Sequence, residues 1–244
     1  MTAVIAVAFG LNSCLEKLPG DYILEEEAMQ TLSDAEQTLT GIYTAYMSSA
    51  LYSGYLTLCP DIQADLVYAV QGNSNQYGTH WLWDIRSTNS EIEAVYAGLY
   101  RVIGRCNFYL DQVEKLRSSL TDDAEIQYLD YYTGEVYCAR GLAYSELLKC
   151  FCKAYDPATA DSDLGIPVMR NPETELNPKY ERGTVAEVYE MIAEDLEEGL
   201  PLIDDSSYAI QKYHFNQKAA YTFASRFYLF YGDFDKAIEC SNYV

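Results

Sequence analysis

Basic residues are scarce in this chain of 244 residues: 16 Lys and Arg stand against 37 Asp and Glu, for a net charge of −21. A surface of that sign repels phosphate backbones and anionic headgroups, which argues against nucleic acid as a partner and against a membrane contact made by the protein surface itself. Histidine is scarcer still: His80 and His214 are the two present, and neither GxSxG nor HExxH occurs. A serine triad and a zinc hydrolase of those kinds therefore lack their parts, and no Gly-rich phosphate loop precedes a helical pattern. The seven cysteines include no CxxC, so no zinc half-site is read from them. Beyond the first residues, no apolar run approaches the ~20 residues needed to span a bilayer.

What is present begins with a short apolar run, Ala3 to Phe9, closed by Leu11, Asn12, Ser13 and Cys14. An apolar stretch followed by a small residue and then a thiol matches a lipoprotein signal, with residues 1–13 removed and Cys14 lipidated. Acyl chains contribute about 0.8 kcal/mol per buried CH₂, so a multiply acylated Cys14 anchors an otherwise water-soluble domain. A frayed apolar terminus with an incidental cysteine is the alternative. Residues 14–32, with the acidic run Glu25 to Glu27, are expected to form an extended, solvated tether. The other cysteines, Cys59, Cys106, Cys138, Cys150, Cys152 and Cys240, are expected to be mostly buried free thiols, although an oxidising export route leaves bridges open.

Residues 33–244 contain 3.6-periodic apolar spacing and little strict alternation, so the domain is mainly α. Ser33 with Glu36, Ser90 with Glu93, and Thr184 with Glu187 each match a capping box, in which the first side chain accepts an orphan backbone N–H and the acid reaches back. Behind them lie apolar stripes: Ala35, Leu39, Ile42, Tyr43 and Tyr46; then Ile92, Val95, Tyr96, Leu99, Ile103, Cys106, Leu110 and Val113. A third helix is expected from about Asp122 to Tyr155, burying Ile126, Leu129, Val136, Ala139, Ala143 and Leu147. Pro157, Gly165, Pro167, Pro172 and Pro178 interrupt the pattern between Asp156 and Gly183. Helices resume from Val185 to Leu200, stopped by Pro201, and again after Asn216. The segment Leu51 to Asn89 forms a second long irregular region, and long loops in compact domains often carry function.

At the C-terminal end, Ala219, Ala220, Phe223, Ala224, Phe227 and Tyr228 line one helix. Gly232, Asp233 and Phe234 then turn the chain into Asp235, Lys236, Ala237 and Ile238. Small residues at a helix approach with Gly at the turn form a tetratricopeptide-like hairpin. Its second helix is expected to run through Val244 without a C-cap, which would leave exposed an apolar face that a solenoid neighbour covers, so the domain is expected to be truncated there.

These residues resemble the SusD/RagB family of starch-utilisation-type, surface nutrient-binding lipoproteins of Bacteroidetes. Five stretches carry the resemblance. They are Cys14; Leu99, Tyr100, Ile103 and Asn107; Glu135, Ala139, Arg140, Leu142, Ala143 and Tyr144 leading through Phe151 to Gly165, Ile166 and Pro167; Thr184, Val188, Tyr189, Ile192, Asp195 and Leu196; and the terminal hairpin from Asn216 to Ala237. The resemblance covers nearly the whole chain and only the N-terminal part of such a protein. It implies a tetratricopeptide-like α–α superhelix with long irregular loops, lipid-anchored at the cell outer membrane. It also implies capture of an oligosaccharide or polysaccharide for a SusC-like TonB-dependent transporter, with no chemistry performed on the ligand.

Sugar recognition combines aromatic rings, which cover the apolar face of a pyranose, with fixed polar groups for its hydroxyls. The Leu51 to Asn89 region supplies both: Tyr77, Trp81 and Trp83 as rings, Asp65, Asn75, Asp84 and Arg86 as polar partners. Trp81 and Trp83 are the two tryptophans of the chain, and on an extended segment residues two apart face the same side, giving a platform one or two sugars long. The competing explanation packs one or both Trp against the helices and leaves Arg86 in an ordinary ion pair. The average charge favours neutral ligands. No EF-hand spacing occurs, and no metal or cofactor is called for. Two other functions use the same composition: a tetratricopeptide-type adaptor holding a peptide or protein on its concave face, and, more remotely, an α-helical glycosidase with two carboxylates in a cleft.

Overall fold

In a computed structural model of the chain, residues 28–172, 179–205 and 214–244 are described. The signal segment, Cys14, the Glu25 to Glu27 run and Pro178 lie outside them. Eight α-helices form among the described residues: α1 (Leu32–Tyr46), α2 (Tyr55–Gln63), α3 (Gly78–Trp81), α4 (Ser90–Ser119), α5 (Asp123–Phe151), α6 (Val185–Gly199), α7 (Gln217–Tyr231) and α8 (Phe234–Ser241). The one β feature among these residues is an isolated bridge between Leu164 and Thr184. The mainly α expectation therefore holds. None of the described helices is long and apolar enough to cross a membrane.

The helix starts show how local chemistry sets the boundaries. Thr184 and Glu187 form the expected capping box on α6. At α1 the box is instead Thr31 with Asp34: Asp34 Oδ2 accepts the N–H of Thr31 at 2.8 Å, and Thr31 Oγ1 accepts that of Asp34 at 3.2 Å. Ser33 and Glu36 thus sit inside the helix, because the same S/T-x-x-acid pattern fits two residues earlier and that frame buries Met29. At α4 the cap is Asn89, whose Oδ1 accepts from Ile92 N at 3.1 Å, while Ser90 is already helical. Asp122 and Asn216 cap α5 and α7 as side-chain acceptors.

Helix α5 is the axis of the fold and packs against α1, α4, α6 and α7. Leu129, Val136, Ala139, Ala143 and Leu147 are buried along it; Ile126, near its first turn, is half-buried. Where α5 meets the end of α6, two glycines let the backbones touch. A Cβ on Gly134 would lie 2.8 Å from the carbonyl oxygen of Gly199, and one on Gly199 would lie 2.8 Å from Cβ of Tyr137. Pro201 follows in a 3-10 turn, Leu200–Leu202, so α6 stops two residues ahead of it.

The proline-rich excursion after α5 is held by buried polar groups. Arg140 donates from Nε and Nη2 to Asp195 of α6 at 3.0 and 2.6 Å, and from Nη1 to Asn107 of α4 at 2.8 Å. Asn107 Nδ2 passes the contact on to the carbonyls of Met169 and Asn171. Tyr144 and Tyr100 hydroxyls donate to Met169 O and Pro167 O. Burial opposes charge on both ionic partners, lifting the carboxyl of Asp195, while the bidentate contact holds the guanidinium of Arg140 above its ordinary value. Extended backbone around Pro167 lacks its own ladder, and these side chains satisfy it instead.

Helix α7 ends at Gly232, whose φ of +83° favours glycine, and Asp233 caps α8 by accepting from Lys236 N at 3.1 Å. The hairpin forms as expected, but α8 stops at Ser241 with Asn242 as its C-cap rather than running through Val244. Leu229, Phe230, Phe234 and Ile238 are exposed on it. All six cysteines among the described residues are free: Cys59, Cys106, Cys138 and Cys240 are buried, Cys152 is half-buried and Cys150 is exposed.

Candidate functional site

The expected binding residues fall between α2 and α4, in a segment less irregular than its composition suggests. Tyr55–Gln63 is helical despite Pro60, and Gly78–Trp81 forms one further turn. The rest is bent by four non-glycine residues in the left-handed region, Asp65, Asn75, Tyr77 and Trp83, each with φ of 56–58°. Such φ values are uncommon, and for bulky side chains they signal a backbone held by its surroundings. Asx contacts supply part of the hold: Asn73 Oδ1 accepts from Asn75 N at 2.7 Å, and Asn89 Nδ2 donates to Thr79 Oγ1 at 2.9 Å. The backbone also closes on itself, with Asp84 N donating to Thr79 O at 2.9 Å.

This geometry changes the expected platform. Trp81 closes α3 and Trp83 is left-handed, so the two do not sit on an extended strand that would align their rings. Both rings nevertheless reach solvent, Trp81 at 37% and Trp83 at 65% of full exposure. Neither packs wholly into the helical core.

Two cavities open in the segment, and Tyr77 lines both. One, of about 330 Å³, is polar: Asn75, Thr79, Asp84, Arg86, Thr88, Asn89, Ser90 and Glu91 surround it. The other, of about 370 Å³, is mixed: Ile62, Val67, Tyr68 and Val70 meet Trp81, Asn73, Ser74 and Gln76. Tyr77 is itself fixed edge-on between Tyr55 and His80, at centroid distances of 6.1 and 6.3 Å. Seven residues carry the sequence-based expectation, and two of them, Asn75 and Asp84, line the polar cavity. Tyr77 falls at the junction, Trp81 in the mixed cavity and Arg86 in the polar one, whereas Asp65 and Trp83 are exposed outside both.

Arg86 is clamped by Asp84, with Nε donating to Oδ1 at 3.0 Å and Nη2 to Oδ2 at 2.9 Å. That pair cancels its own charge and holds the guanidinium above its ordinary value. The remaining N–H groups are free of those two bonds and are directed by a planar, fixed fork. Chemically the segment offers ring faces, fixed amide and hydroxyl groups, and one neutralised arginine. Sequence analysis did not single out Tyr68, Gln76, Thr79 and Glu91; the density of Asn, Gln, Ser and Thr between residues 71 and 90 was the available signal. Among the described residues no group of three or more His, Cys, Asp and Glu is placed to hold a metal ion.

Comparison with known proteins places this geometry in a class. Residues 21–229 match the model of a SusD-like family described as starch-binding and associating with the outer membrane. The chain belongs to that SusD-like family. Among solved structures, a Bacteroides vulgatus protein whose name provisionally assigns sugar binding is 28% identical, with a TM-score of 0.74 over 88% of this chain and 46% of that one. A SusD superfamily protein from Bacteroides fragilis is 24% identical, with a TM-score of 0.75 over 88% of this chain and 49% of its own. A SusD homologue from Bacteroides thetaiotaomicron is 21% identical, with a TM-score of 0.72 over 90% of this chain and 41% of its own. The latter two likenesses concern the fold alone. The chain thus spans a little under half the length of the solved structures it matches. No curated protein matches it.

Proposed function

We propose that the protein binds a glycan through the segment between α2 and α4 and performs no chemistry on it. The observation that carries this reading is the meeting of two cavities at Tyr77, with the Trp81 ring on one side and the Asp84–Arg86 clamp on the other. A pyranose has one apolar face and a rim of hydroxyls, and this pairing of ring and fixed donors suits both. The family description, starch-binding and associating with the outer membrane, supports the ligand class and the location. Exposure of Trp81 and Trp83 favours sugar capture over a peptide-holding adaptor, which would need no such rings.

The finer parts of the proposal extend outward from the site. Cys14 carries the lipid that fixes the protein at the cell outer membrane, facing the outside, and residues 14–32 tether the domain to it. The captured oligosaccharide passes to a SusC-like TonB-dependent transporter. Exposed Leu229, Phe230, Phe234 and Ile238 on α7 and α8 support further helices packing on the hairpin. The test is affinity electrophoresis of the complete protein, starting after Cys14, through gels containing neutral or acidic polysaccharides. A neutral glycan should retard the wild type, and the folded Trp81→Ala/Trp83→Ala variant should run free. Retardation by no glycan, or equal retardation of both proteins, would refute the proposal.

A further inference from the structure

The two cavities that meet at Tyr77 differ in a way that a plain hexose does not use. Apart from the Tyr77 ring, the polar one is walled mainly by amides, hydroxyls and charged groups, from Asn75 and Thr79 to Ser90 and Glu91, and these suit the hydroxyls of a sugar. The mixed one has the Trp81 ring to cover one pyranose face, and then four further apolar side chains, Ile62, Val67, Tyr68 and Val70. Val67, Tyr68 and Val70 are exposed, so their apolar surface is open to a ligand. A sugar hydroxyl set against them would lose its water and gain no partner, which opposes binding.

Hydrogen-bonding groups stand in the same cavity. Asn73 is occupied within the loop: its Nδ2 donates to the Val70 carbonyl at 2.7 Å, and its Oδ1 accepts the Asn75 N–H at 2.7 Å. Ser74 and Gln76, by contrast, are exposed, and their side chains bond to no described residue. A hydroxyl and a primary amide, able between them to donate and to accept, are therefore available beside an aliphatic patch.

An acetamido group has the matching composition: a methyl at one end, with a planar amide N–H and C=O behind it. We propose, on the footing of the glycan-binding reading above, that the mixed cavity is a subsite for an N-acetylhexosamine. The pyranose ring lies on Trp81, the acetamido methyl packs against Val67 and Val70, and the amide bonds to Gln76 and Ser74. The neighbouring sugar crosses Tyr77 into the polar cavity. The preferred ligand is thus a neutral glycan that carries acetamido sugars rather than a plain glucan. A 6-deoxy sugar would supply a methyl but leave Gln76 and Ser74 unpaired.

Matched sugars that differ at this substituent test the subsite. Titration calorimetry of the complete protein compares tri-N-acetylchitotriose with cellotriose, N-acetyllactosamine with lactose, and N-acetylgalactosamine with galactose. Burying one methyl and adding one hydrogen bond should make the acetamido member of at least one pair bind about tenfold more tightly than its hydroxyl counterpart. That ratio should fall below about threefold in Val67→Ala/Val70→Ala and in Gln76→Ala, exposed substitutions whose folding circular dichroism verifies. Asp84→Ala, in the other cavity, should weaken both members alike and keep the ratio. The subsite is overturned if no pair exceeds about threefold, or if the ratio survives in both mixed-cavity variants. In either case, retardation by a polysaccharide in the affinity gels leaves glycan binding standing, whereas retardation by none refutes both proposals.

Discussion

Replacing Arg140 with Met removes the cation from the most deeply buried Arg–carboxylate pair among the described residues, in which the side chains of Arg140 and Asp195 keep 7% and 2% of their exposure. The variant loses two charge-assisted bonds to Asp195 and one to Asn107, and it leaves the buried Asp195 carboxylate with no guanidinium bonded to it, the more distant Arg170 being the remaining positive charge that acts on it. Breaking one side of a buried pair costs about 3–5 kcal/mol. For a unit of 150–250 residues, each kcal/mol shifts Tm by about 2–4 °C, so Arg140→Met should lower Tm by about 6–20 °C. Because most of that cost comes from stranding a charge, Arg140→Met/Asp195→Leu should recover most of the loss. Thermal unfolding followed by circular dichroism measures all three proteins. A single variant within about 1 kcal/mol of wild type would refute the reasoning, as would a double variant no more stable than the single.

Three other outcomes follow from the geometry. Gly134→Ala should cost about 1–3 kcal/mol in denaturant unfolding, since its Cβ would meet the Gly199 carbonyl oxygen at 2.8 Å and that backbone must move. Thr184→Ala removes the acceptor for Glu187 N and should cost about 1 kcal/mol by the same assay, with Thr184→Ser close to wild type. Asp84→Ala should change stability by less than about 1 kcal/mol, because the pair with Arg86 is exposed, yet it should weaken glycan retardation by freeing the Arg86 fork to rotate. Equal retardation of Asp84→Ala and wild type would remove the clamp from the site.

Most of the scaffold was legible because its signals are local. Asp122, Asn216 and Thr184 each stand directly before an apolar stripe, and each caps its helix. Where two polar residues compete, the outcome depends on packing that periodicity does not encode: Thr31 prevails over Ser33 and Asn89 over Ser90. The same limit explains α2, where Leu56, Cys59 and Ile62 find burial at helical spacing although Pro60 lies among them. In the candidate site, composition pointed to the stretch between α2 and α4 but not to its shape. Left-handed backbone at Tyr77 and Trp83 is a tertiary outcome, since neither residue favours that conformation by itself.

The most direct test of the central claim is a crystal structure of the complete protein with an oligosaccharide of the glycan that retards it most strongly. The account predicts a sugar ring lying on Tyr77 or Trp81, with a hydroxyl hydrogen-bonded to Arg86. A sugar bound away from the segment between α2 and α4, with Tyr77, Trp81 and Arg86 untouched, would contradict it.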